Sequence, residues 1–453
     1  MPYSRRTFVT GLLNKGRWSA FALLNASAEA GLPYWPLDQI MEIQRWRIGT
    51  MVDHAYRHTT FYRAAMDRAG LRPKDFHSAE DLARLPLVSK DDLERHPQWF
   101  RATGGCDRVW LSLSSSGTGG QPIGVDFDRP AVFLALAHGH RQRLARASVV
   151  GRSAGYRDAG LARRGGLDQQ IRGFLEAQSF TPAGIDLKRL SLAVTDGIEH
   201  NFARLQEFRP HTIHGYGSYI GALFRWAHSH GHRPTWPKAI TYGADILPVA
   251  DRHLIEDELG IPVFSTYQAT EALRIAFQCQ QRHGFHLSLD QVAIRVIDSN
   301  RDPVGPGGTG EIVISNLTNR ATVLLNYRLG DMVTLGQHPC PCGRTLPTIE
   351  SIDGRINDLI LLPNGEDAYA LHYLEKPMAV PGVVRLQLVQ EELRRFRVRI
   401  VYAGTDWPAA SAQVRVHLKA GLGADIALEL ERLSVIPADA GGKVRTVVCL
   451  CRR

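Results

Sequence analysis

Residues 238–267 read KAITYGADILPVADRHLIEDELGIPVFSTY, a stretch in which two short apolar runs flank a segment of different periodicity. The runs KAITYGA and PVFSTY are typical of strands. The segment between them, VADRHLIEDELG, is typical of a helix, and Gly260 at its end is a common helix stop. A strand, a helix and a strand in this order predict a βαβ unit with parallel strands, and hence an α/β fold.

The segments before this unit are mainly helical. Residues 38–70 space their apolar side chains as an amphipathic helix does. Ser89, with Asp92 three residues later, has the form of a capping box at a helix start. Residues 199–231 again predict helices around a glycine turn. Together with the βαβ unit, they predict a large N-terminal domain with mixed, largely parallel sheets.

The pattern changes from residue 291 onward. The runs QVAIRVID, GEIVISN and TVLLNYRLGD are apolar or alternating, and glycine-rich turns join them, which indicates antiparallel strands and a β-barrel-like subdomain. After residue 356, strand-like runs around a helical run at 409–421 predict a small α+β domain. We place the N-terminal domain at 1–356 and the C-terminal domain at 357–453.

The composition disfavours several classes of protein. The chain has 453 residues, of which 44% are hydrophobic, and this is typical of a globular protein with two or three structural units. No apolar run approaches the ~20 residues of a membrane-spanning helix. The net charge of +9 suits anionic ligands. We expect no nucleic-acid partner, because the sequence has no long basic run and no zinc-finger or RNA-binding signature.

The N-terminus and the cysteines bear on the cellular compartment. The segment SRRTFV resembles the start of a twin-arginine export signal, but Lys15 and Arg17 interrupt the apolar segment that such a signal needs. We interpret this likeness as chance, although the sequence alone leaves a targeting signal open. The six cysteines form no evident disulfide framework, which favours a reducing, cytoplasmic setting.

A loop rich in serine and glycine stands at residues 111–120, which read LSLSSSGTGG and are followed by QPIG. Backbone N–H groups in such a loop can converge on an anion, because glycine lets the backbone approach closely and the hydroxyls add donors. The same composition is also typical of an ordinary surface loop. The loop alone leaves both interpretations open.

The order of five later segments favours the anion-binding interpretation. These segments are YGADIL at 242–247, TYQATEA at 266–272, NYRLGD at 326–331, DGRINDLI at 353–360 and GGKVRTV at 441–447. With the loop they make six motifs that resemble, in this order, those of the adenylate-forming (acyl-CoA synthetase-like) superfamily. DLARLPLVSKDDL and the segment from GEIVISN to ILLPNG are similar to the phenylacetate–CoA ligase branch and its CapK-like relatives in capsular polysaccharide biosynthesis. The resemblance covers most of the chain, and it implies that the C-terminal domain is a mobile lid that carries Lys443.

The resemblance implies a nucleotide site. The loop would bind the triphosphate of ATP, and Asp331 would accept hydrogen bonds from both ribose hydroxyls, which suits a carboxylate because its oxygens only accept. Tyr267 would stack near the adenine, although a buried core tyrosine is the alternative, and Arg355 would reach ribose or phosphate. The complete implied set is Ser115, Ser116, Gly117, Thr118, Gly119, Gly120, Gly243, Ala244, Asp245, Tyr267, Asp331 and Arg355.

The resemblance also implies three catalytic residues. Lys443 would bridge the substrate carboxylate and the α-phosphate and neutralise charge in the transition state. Glu271 would hold Mg²⁺, because a hard cation on phosphate oxygens prefers carboxylate ligands. Thr270 beside it would contact phosphate.

Three positions depart from the pattern of the family. Gln121 stands in the phosphate loop where relatives usually carry lysine, so one phosphate-directed charge is missing. Asp245 stands where related sequences carry glutamate, and Asn357 replaces a common aspartate in the hinge motif. Asn tolerates unusual backbone angles as Asp does, so the hinge remains compatible with the family pattern.

Three cysteines and one histidine form a candidate metal site. Three thiolates and one imidazole make a closed tetrahedral set, which suits structural zinc. The CPC spacing is tighter than the usual C-x-x-C knuckle, so the spacing leaves the assignment open, and His283 is a competing ligand. The related ligases carry the same pattern and bind zinc there, which implies Zn²⁺ here. The candidate ligands are Cys279, His286, Cys340 and Cys342.

The sequence specifies the substrate pocket least. In the family it lies between the segments HGYGS, YGAD and TYQATEA, which gives as candidate lining residues His214, Tyr216, Ser218 and Tyr242. The two tyrosines favour an aromatic or flat carboxylate. His138 and His140 are further candidates, although a single histidine on an apolar helix is more often a core residue.

The resemblance implies an ATP-dependent ligase. It would form an acyl-adenylate and pyrophosphate from a carboxylic acid and ATP, and then transfer the acyl group to CoA. An amine, a hydroxyl or a carrier-protein thiol is the alternative acceptor, as in secondary-metabolite or polysaccharide pathways. Gln121 leaves open a non-catalytic nucleotide-binding relative. We therefore expect small-molecule partners, with no membrane and no nucleic acid, and a homodimer is left open.

Overall fold

The computed structural model describes residues 5–115, 123–152, 154–180, 188–355, 359–365, 367–436 and 445–451. Helices α1 to α12 span Arg5–Gly31, Leu37–His58, Thr60–Ala69, Lys90–Arg95, Pro97–Phe100, Arg129–Val150, Leu167–Gln178, Ile198–Phe208, Gly217–Ser229, Val249–His253, Ala370–Met378 and Trp407–Leu422. Strands β1 to β19 span Trp110–Ser115, Ile123–Asp128, Arg157–Ala162, Lys188–Ala193, Thr212–Tyr216, Ala239–Gly243, Val263–Tyr267, Ala276–Phe277, Phe285–Leu287, Val292–Ile297, Thr309–Asn316, Tyr327–Leu335, Thr348–Arg355, Leu359–Leu361, Asp367–Tyr369, Val383–Glu392, Arg395–Tyr402, Ala427–Leu433 and Val447–Cys449. Among these helices none is long and apolar enough to cross a membrane.

The predicted βαβ unit lies in a mixed sheet of 11 strands, in the order β10-β11-β12-β13-β9-β8-β7-β6-β5-β3-β4. The strands β4, β3, β5, β6 and β7 are parallel neighbours. Helix α10 joins β6 to β7 and continues as a π-helical turn over Leu254–Glu258. Gly260, with φ of +67°, follows that turn. The prediction of an α/β fold with a βαβ unit at this point is confirmed.

Helices cover both faces of the parallel strands. On one face, Ile213 and Ile240 pack in one core cluster with Phe224 of α9. On the other face, Ala239 and Phe264 pack against α6. Because strand residues alternate between faces, every second residue lies on this second side, which we call the α6 face. The α6 face carries Asp158, Gly160, Thr212, His214, Tyr216, Ala239, Thr241, Gly243 and Phe264.

The strands β10, β11, β12 and β13 are antiparallel, as the sequence predicts. One boundary differs, because the apolar segment TVLLN is not part of the third predicted strand, which begins only at Tyr327. The backbone N–H of Thr322 bonds the carbonyl oxygen of Asp126 at 3.1 Å, and that of Val323 bonds Phe100 at 2.9 Å. The first residues of this segment therefore bond to segments other than the neighbours of β12, and the segment meets β11 at Leu324, whose carbonyl oxygen accepts from the N–H of Asn316 at 2.9 Å.

Two predictions for the N-terminal helices have different outcomes. Residues 38–70 form two helices instead of one, because Thr59 has an extended backbone and separates α2 from α3. The capping box before α4 is confirmed. The N–H of Asp92 donates to the hydroxyl of Ser89, and the N–H of Ser89 donates to the carboxylate of Asp92 at 2.8 Å.

The C-terminal residues form a sheet and a core of their own. The sheet has the order β18-β17-β16-β19. Leu388 and Val398 of this sheet pack with Val414 and Leu418 of α12 in a separate hydrophobic cluster. This is the α+β unit that the sequence predicts. Residues 356–358, where we place the domain boundary, lie outside the described residues, so the boundary stays a prediction.

Candidate active site and metal centre

The predicted phosphate loop connects two antiparallel strands. β1 and β2 pair from Trp110 with Asp128 to Ser115 with Ile123, next to the loop. Several predicted site residues lie outside the described residues, and their roles stay predictions. These are Ser116, Gly117, Thr118, Gly119, Gly120, Gln121, Asn357 and Lys443.

Three strands bring together Tyr267, Asp331 and Arg355. Tyr267 is the last residue of β7, while Asp331 of β12 and Arg355 of β13 are direct cross-strand partners. The hydroxyl of Tyr267 donates to Oδ2 of Asp331 at 2.9 Å, and Nε of Arg355 lies 3.2 Å from Oδ1. Burial and the neighbouring Asp331 raise the pKa of Tyr267 well above its usual value, so its hydroxyl remains a donor. The carboxylate is thus oriented from both sides.

Glu271 lies in the turn after β7, directly after Thr270. The hydroxyl of Tyr327 donates to Oε1 of Glu271 at 3.1 Å, and Nδ2 of Asn316 donates to its backbone carbonyl oxygen at 3.1 Å. Burial raises the pKa of the Glu271 carboxyl. A half-buried carboxylate that tyrosine orients through one oxygen fits a hard cation such as Mg²⁺.

The chain turns sharply at the end of β6. Ala244 has a φ of +67°, a left-handed conformation that residues other than glycine rarely adopt, and such strain is often found at functional sites. A Cβ atom on Gly243 would lie 2.5 Å from Oγ1 of Thr266, so any other residue there would have to displace this hydroxyl. Asp245 accepts hydrogen bonds from the backbone N–H of Ser218, at 3.3 Å, and from its hydroxyl. A predicted nucleotide residue and a predicted substrate residue are therefore in direct contact.

The four predicted substrate residues do not share one surface. His214 and Tyr216 lie on the α6 face, and Ser218 lies in the first turn of α9. Tyr242 points to the opposite side of β6, where its ring lies against Gly217 and packs with the core around α9. Only His214 and Tyr216 can therefore line a common surface between the sheet and α6.

His214 has a partner that the sequence analysis missed. Asp158 is buried beside it on the α6 face, with Oδ1 3.4 Å from Nδ1 of His214 and 2.7 Å from the hydroxyl of Thr212. Arg189 completes the group at 2.9 Å from Oδ2. Burial lowers the pKa of His214, but the carboxylates of Asp158 and Asp168 outweigh it and raise this pKa above its ordinary value. The two residues meet because β3 pairs with β5.

The four candidate metal ligands converge. Their ligand atoms all lie within 4.8 Å of one another, and the set does not include His283. Sγ of Cys279 lies 3.6 Å from Sγ of Cys340, and Sγ of Cys342 lies 3.3 Å from Nε2 of His286. Two sulfur ligands at ~2.3 Å on one tetrahedral zinc ion lie about 3.8 Å apart. The observed spacing therefore fits one zinc ion, and all six cysteines of the chain are free thiols.

Neighbouring groups prepare His286 as a ligand. Its Nδ1 lies 3.2 Å from the carbonyl oxygen of Leu346, which directs the proton to Nδ1 and leaves Nε2 facing Cys342. Burial lowers the pKa of His286 to about 4, so the ring is neutral, as metal binding requires. Thr348 of β13 pairs with His286 of β9. The set joins the β8–β9 hairpin to the connection before β13.

His138 lies in a separate buried cluster. Its Nε2 is 3.4 Å from Oε2 of Glu29 and 3.5 Å from Oδ2 of Asp290. Arg141, one turn further along α6, pairs with the same two carboxylates at 2.6 and 2.9 Å. His138 is therefore a core residue that connects α1, α6 and the segment before β10.

Comparisons with known proteins agree with the motifs. No protein-family model matches the chain. The chain is 29% identical over 361 residues to phenylacetate–coenzyme A ligase of Thermus thermophilus. The aligned region covers 77% of each protein. The chain is 22% identical over 432 residues to Protein CapK of Staphylococcus aureus, which covers 91% of this chain and 89% of that protein.

The fold is also found among solved structures. The crystal structure of 2-hydroxyisobutyryl-CoA ligase in the postadenylation state, in complex with R3-HIB-AMP, matches with a TM-score of 0.72. That match has 19% sequence identity and covers 90% of this chain and 88% of the other. The resemblance to phenylacetate–CoA ligases and CapK, and the fold of adenylate-forming CoA ligases, are thereby confirmed.

Proposed function

We propose that this chain, which has the sequence similarity and the fold of adenylate-forming acid–thiol ligases, activates a carboxylic acid with ATP and transfers the acyl group to CoA. The observation that supports this most strongly is the meeting of Tyr267, Asp331 and Arg355. They come from three separate motifs, and they form one hydrogen-bonded group with a carboxylate suited to two ribose hydroxyls.

In the first step, a carboxylate oxygen of the acid attacks the α-phosphorus of ATP. The new P–O bond forms as the bond from the α-phosphorus to the bridging oxygen breaks, and pyrophosphate leaves. Asp331 orients the ribose, and Lys443 neutralises negative charge on the carboxylate and the α-phosphate. Glu271 and Thr270 face the phosphates, and Glu271 would hold Mg²⁺, which reduces the charge of the phosphates when bound.

In the second step, the thiol of CoA attacks the acyl carbon of the adenylate. A C–S bond forms, the C–O bond to AMP breaks, AMP leaves, and the thiol proton passes to water. The C-terminal domain carries Lys443 and follows the predicted hinge at Asn357, so a movement at this hinge would withdraw the lysine between the steps.

Cys279, His286, Cys340 and Cys342 would hold one zinc ion. Four protein ligands leave no position for water or substrate, so such an ion is structural and holds the β8–β9 hairpin against the connection before β13. Ligand thiols must stay reduced, which supports a reducing compartment such as the cytoplasm.

ATP–pyrophosphate exchange with a panel of carboxylic acids tests the adenylation step. We expect exchange that requires both Mg²⁺ and an acid. Lys443→Ala should lower the exchange rate by about 10²–10³-fold with ATP binding retained, because it removes one preorganised charge from the transition state. Lys376→Ala, at an exposed lysine of α11 in the same domain, is the matched control. Equal exchange by Lys443→Ala and the wild type would contradict the mechanism.

The same reaction mixture identifies the acceptor. We expect a thioester when CoA is added and a hydroxamate when hydroxylamine is added. A hydroxamate without any thioester would indicate an amine, hydroxyl or carrier-protein acceptor instead of CoA. ATP binding without exchange for any acid would indicate a non-catalytic nucleotide-binding protein.

A further inference from the structure

Three arginine side chains lie on one side of α6. Gly139, Arg143 and Arg146 follow one another at steps of four and three residues, so they share one side of this helix. Arg274, from the segment between β7 and β8, lies on the same side. A Cβ atom on Gly139 would lie 2.9 Å from Nη2 of Arg274, and Nε of Arg274 donates to the carbonyl oxygen of Ala135 at 3.0 Å.

This side of α6 faces the parallel sheet. Nη1 of Arg146 lies 3.4 Å from Oγ1 of Thr241 in β6, and Nε2 of Gln142 donates to the carbonyl oxygen of Ser265 in β7 at 3.3 Å. Thr241 is the direct neighbour of His214 on the α6 face. We call Arg143, Arg146 and Arg274 the arginine cluster. It stands between α6 and the surface that carries His214.

The acids near the arginine cluster, Asp158 and Asp168, attract it without contacting it. Within the described part of the chain, none of the three residues forms an ion pair with a carboxylate, and Nε of Arg146 is buried without a hydrogen-bond partner. The buried acid nearby, Asp158, is already bound by Arg189, Thr212 and His214. Three half-buried arginines of like charge therefore share one side of α6 without a carboxylate that contacts them, and this is unfavourable unless an anion joins them.

The pKa values of two of the clustered arginines, Arg274 and Arg143, are lowered, as expected for half-buried cations that lie near one another. Burial lowers the pKa of Arg274 to about 10, with Asp168 opposing the change and Arg146 and Arg143 adding to it. Burial likewise lowers the pKa of Arg143. Both groups are still cationic at neutral pH, so the cluster offers an anion several charged donors.

The distance from the arginine cluster to the predicted nucleotide edge of the sheet can be estimated along β6. Along β6 the α6 face carries Ala239, Thr241 and Gly243 in turn, and Gly243 stands at the predicted nucleotide edge. Two residues of a strand span ~6.6 Å. Arg146, which contacts Thr241, therefore stands about 7 Å, or one row of side chains, deeper than this edge.

We propose that the arginine cluster selects an acid substrate that carries a second anionic group, a carboxylate or a sulfonate, roughly 6–10 Å from the reacting carboxylate. The inference rests on the proposed function, because that function places the reacting carboxylate beside the nucleotide. The second anion would extend past Tyr216 and His214 toward Arg143, Arg146 and Arg274. Guanidinium groups bind carboxylate and sulfonate oxygens in a bidentate manner, which gives specificity for this end of the substrate.

Matched pairs of acids in the ATP–pyrophosphate exchange assay test the inference. The pairs are benzoate with terephthalate, benzoate with 4-sulfobenzoate, phenylacetate with 4-carboxyphenylacetate, and hexanoate with adipate. We expect kcat/KM to be at least about 10-fold higher for the dianionic member of one pair or more, as one added charged contact allows. If the monoanionic member is equal or better in every pair, the inference is wrong and the proposed function stands. Exchange with no acid at all would contradict the proposed function and the inference with it.

Two variants test the residues. Arg143→Gln and Arg274→Gln should each lower the ratio of kcat/KM for the dianionic over the monoanionic acid by about 10-fold or more, mainly through KM. Arg274→Lys should restore part of that preference. Arg152→Gln, at an exposed arginine just past the end of α6, is the control. An equal loss for both members of a pair in both folded variants would show that these arginines only support the fold, and would overturn the inference. A melting curve for each variant verifies that it is folded, and Arg146→Gln replaces either variant that is not.

Discussion

Asp331 and Arg355 stand opposite each other on β12 and β13, with Nε of Arg355 3.2 Å from Oδ1 of Asp331. The other oxygen of the carboxylate accepts the hydroxyl of Tyr267 at 2.9 Å. The carboxylate is therefore held in one orientation before any nucleotide binds. An acceptor that is already oriented loses little conformational freedom on binding, which favours affinity for a diol such as ribose.

Asp331→Asn should raise the KM for ATP by about 10–100-fold in the exchange assay, because hydrogen bonds to a charged acceptor contribute roughly 1.5–3 kcal/mol. Tyr267→Phe keeps the carboxylate and removes only one orienting bond, so its effect should be a few-fold. Asp353→Asn is the control, since this carboxylate on β13 accepts from Thr334 and Ser351 instead. An unchanged KM in Asp331→Asn would exclude the ribose role.

Glu271→Gln should make the protein more stable and less active at once. Burial raises the pKa of Glu271, and a group with a raised pKa contributes stability below its unfolded pKa and loses it as pH rises through the folded value. At neutral pH the ionised form is therefore unfavourable in the fold. Glutamine removes this charge, and we expect a rise in Tm of roughly 1–3 °C near pH 7 that disappears near pH 4.

The same variant should lower the exchange rate by about 10²-fold, as loss of one charged group at the phosphates does. Glu256→Gln is not a suitable control because Glu256 pairs with Arg252 and Arg282. Glu207→Gln, on the exposed end of α8, is suitable because its ion pair with Arg204 is exposed to solvent and contributes little. A Glu271→Gln protein of full activity would contradict the proposed role of Glu271, whatever its Tm.

Zinc analysis tests the metal centre. We expect about one zinc atom per chain, and we expect Cys342→Ser to lose it and to melt several degrees lower, because binding energy at a structural site is folding energy. Cys106→Ser, at a cysteine outside the set, should keep both the zinc and the Tm. Folded wild-type protein without zinc, after purification free of chelators, would show that the four residues pack without a metal.

Local sequence patterns were sufficient to predict the βαβ unit, but they did not predict where the third antiparallel strand begins. TVLLN is as apolar as a strand, yet the N–H groups of Thr322 and Val323 bond Asp126 and Phe100, which lie about 200 residues earlier in the chain. An apolar run predicts burial, and the choice of hydrogen-bond partner depends on the tertiary structure.

In the candidate site, too, some residues were predictable from local sequence and others depended on the tertiary structure. The order of motifs predicted that Tyr267, Asp331 and Arg355 belong to one nucleotide site, because each lies in a recognisable segment, but it did not predict the hydrogen bonds among them. Asp158 belongs to none, and its contact with His214 follows from the parallel pairing of β3 with β5. Alternation along TYGAD implies that Tyr242 and Gly243 face opposite sides, but which side meets α6 depends on the order of strands in the sheet.

The pair of His214 and Asp158 predicts a pH-dependent stability. The pKa of His214 is raised in the fold, so its contribution is fully present below its unfolded pKa of about 6.5 and is lost as pH rises through the folded value. Burial opposes ionisation of Asp158, but His214 and Arg189 hold its pKa well below the usual range, so its contribution is present above about pH 4. The pair therefore stabilises the fold most between about pH 4 and pH 6.5.

His214→Asn should lower the free energy of unfolding by about 1 kcal/mol near pH 5.5 and by less near pH 9, because the contribution of a raised pKa is lost as pH rises through the folded value. Urea denaturation of both proteins at the two pH values measures this difference. His253→Asn is the control, because His253 also contacts an aspartate, Asp257 at 2.6 Å, but both side chains are about 70% exposed. Such surface pairs contribute little, so its effect should be small at either pH. A loss for His214→Asn that is the same at both pH values would show that the contact with Asp158 involves no charge on His214.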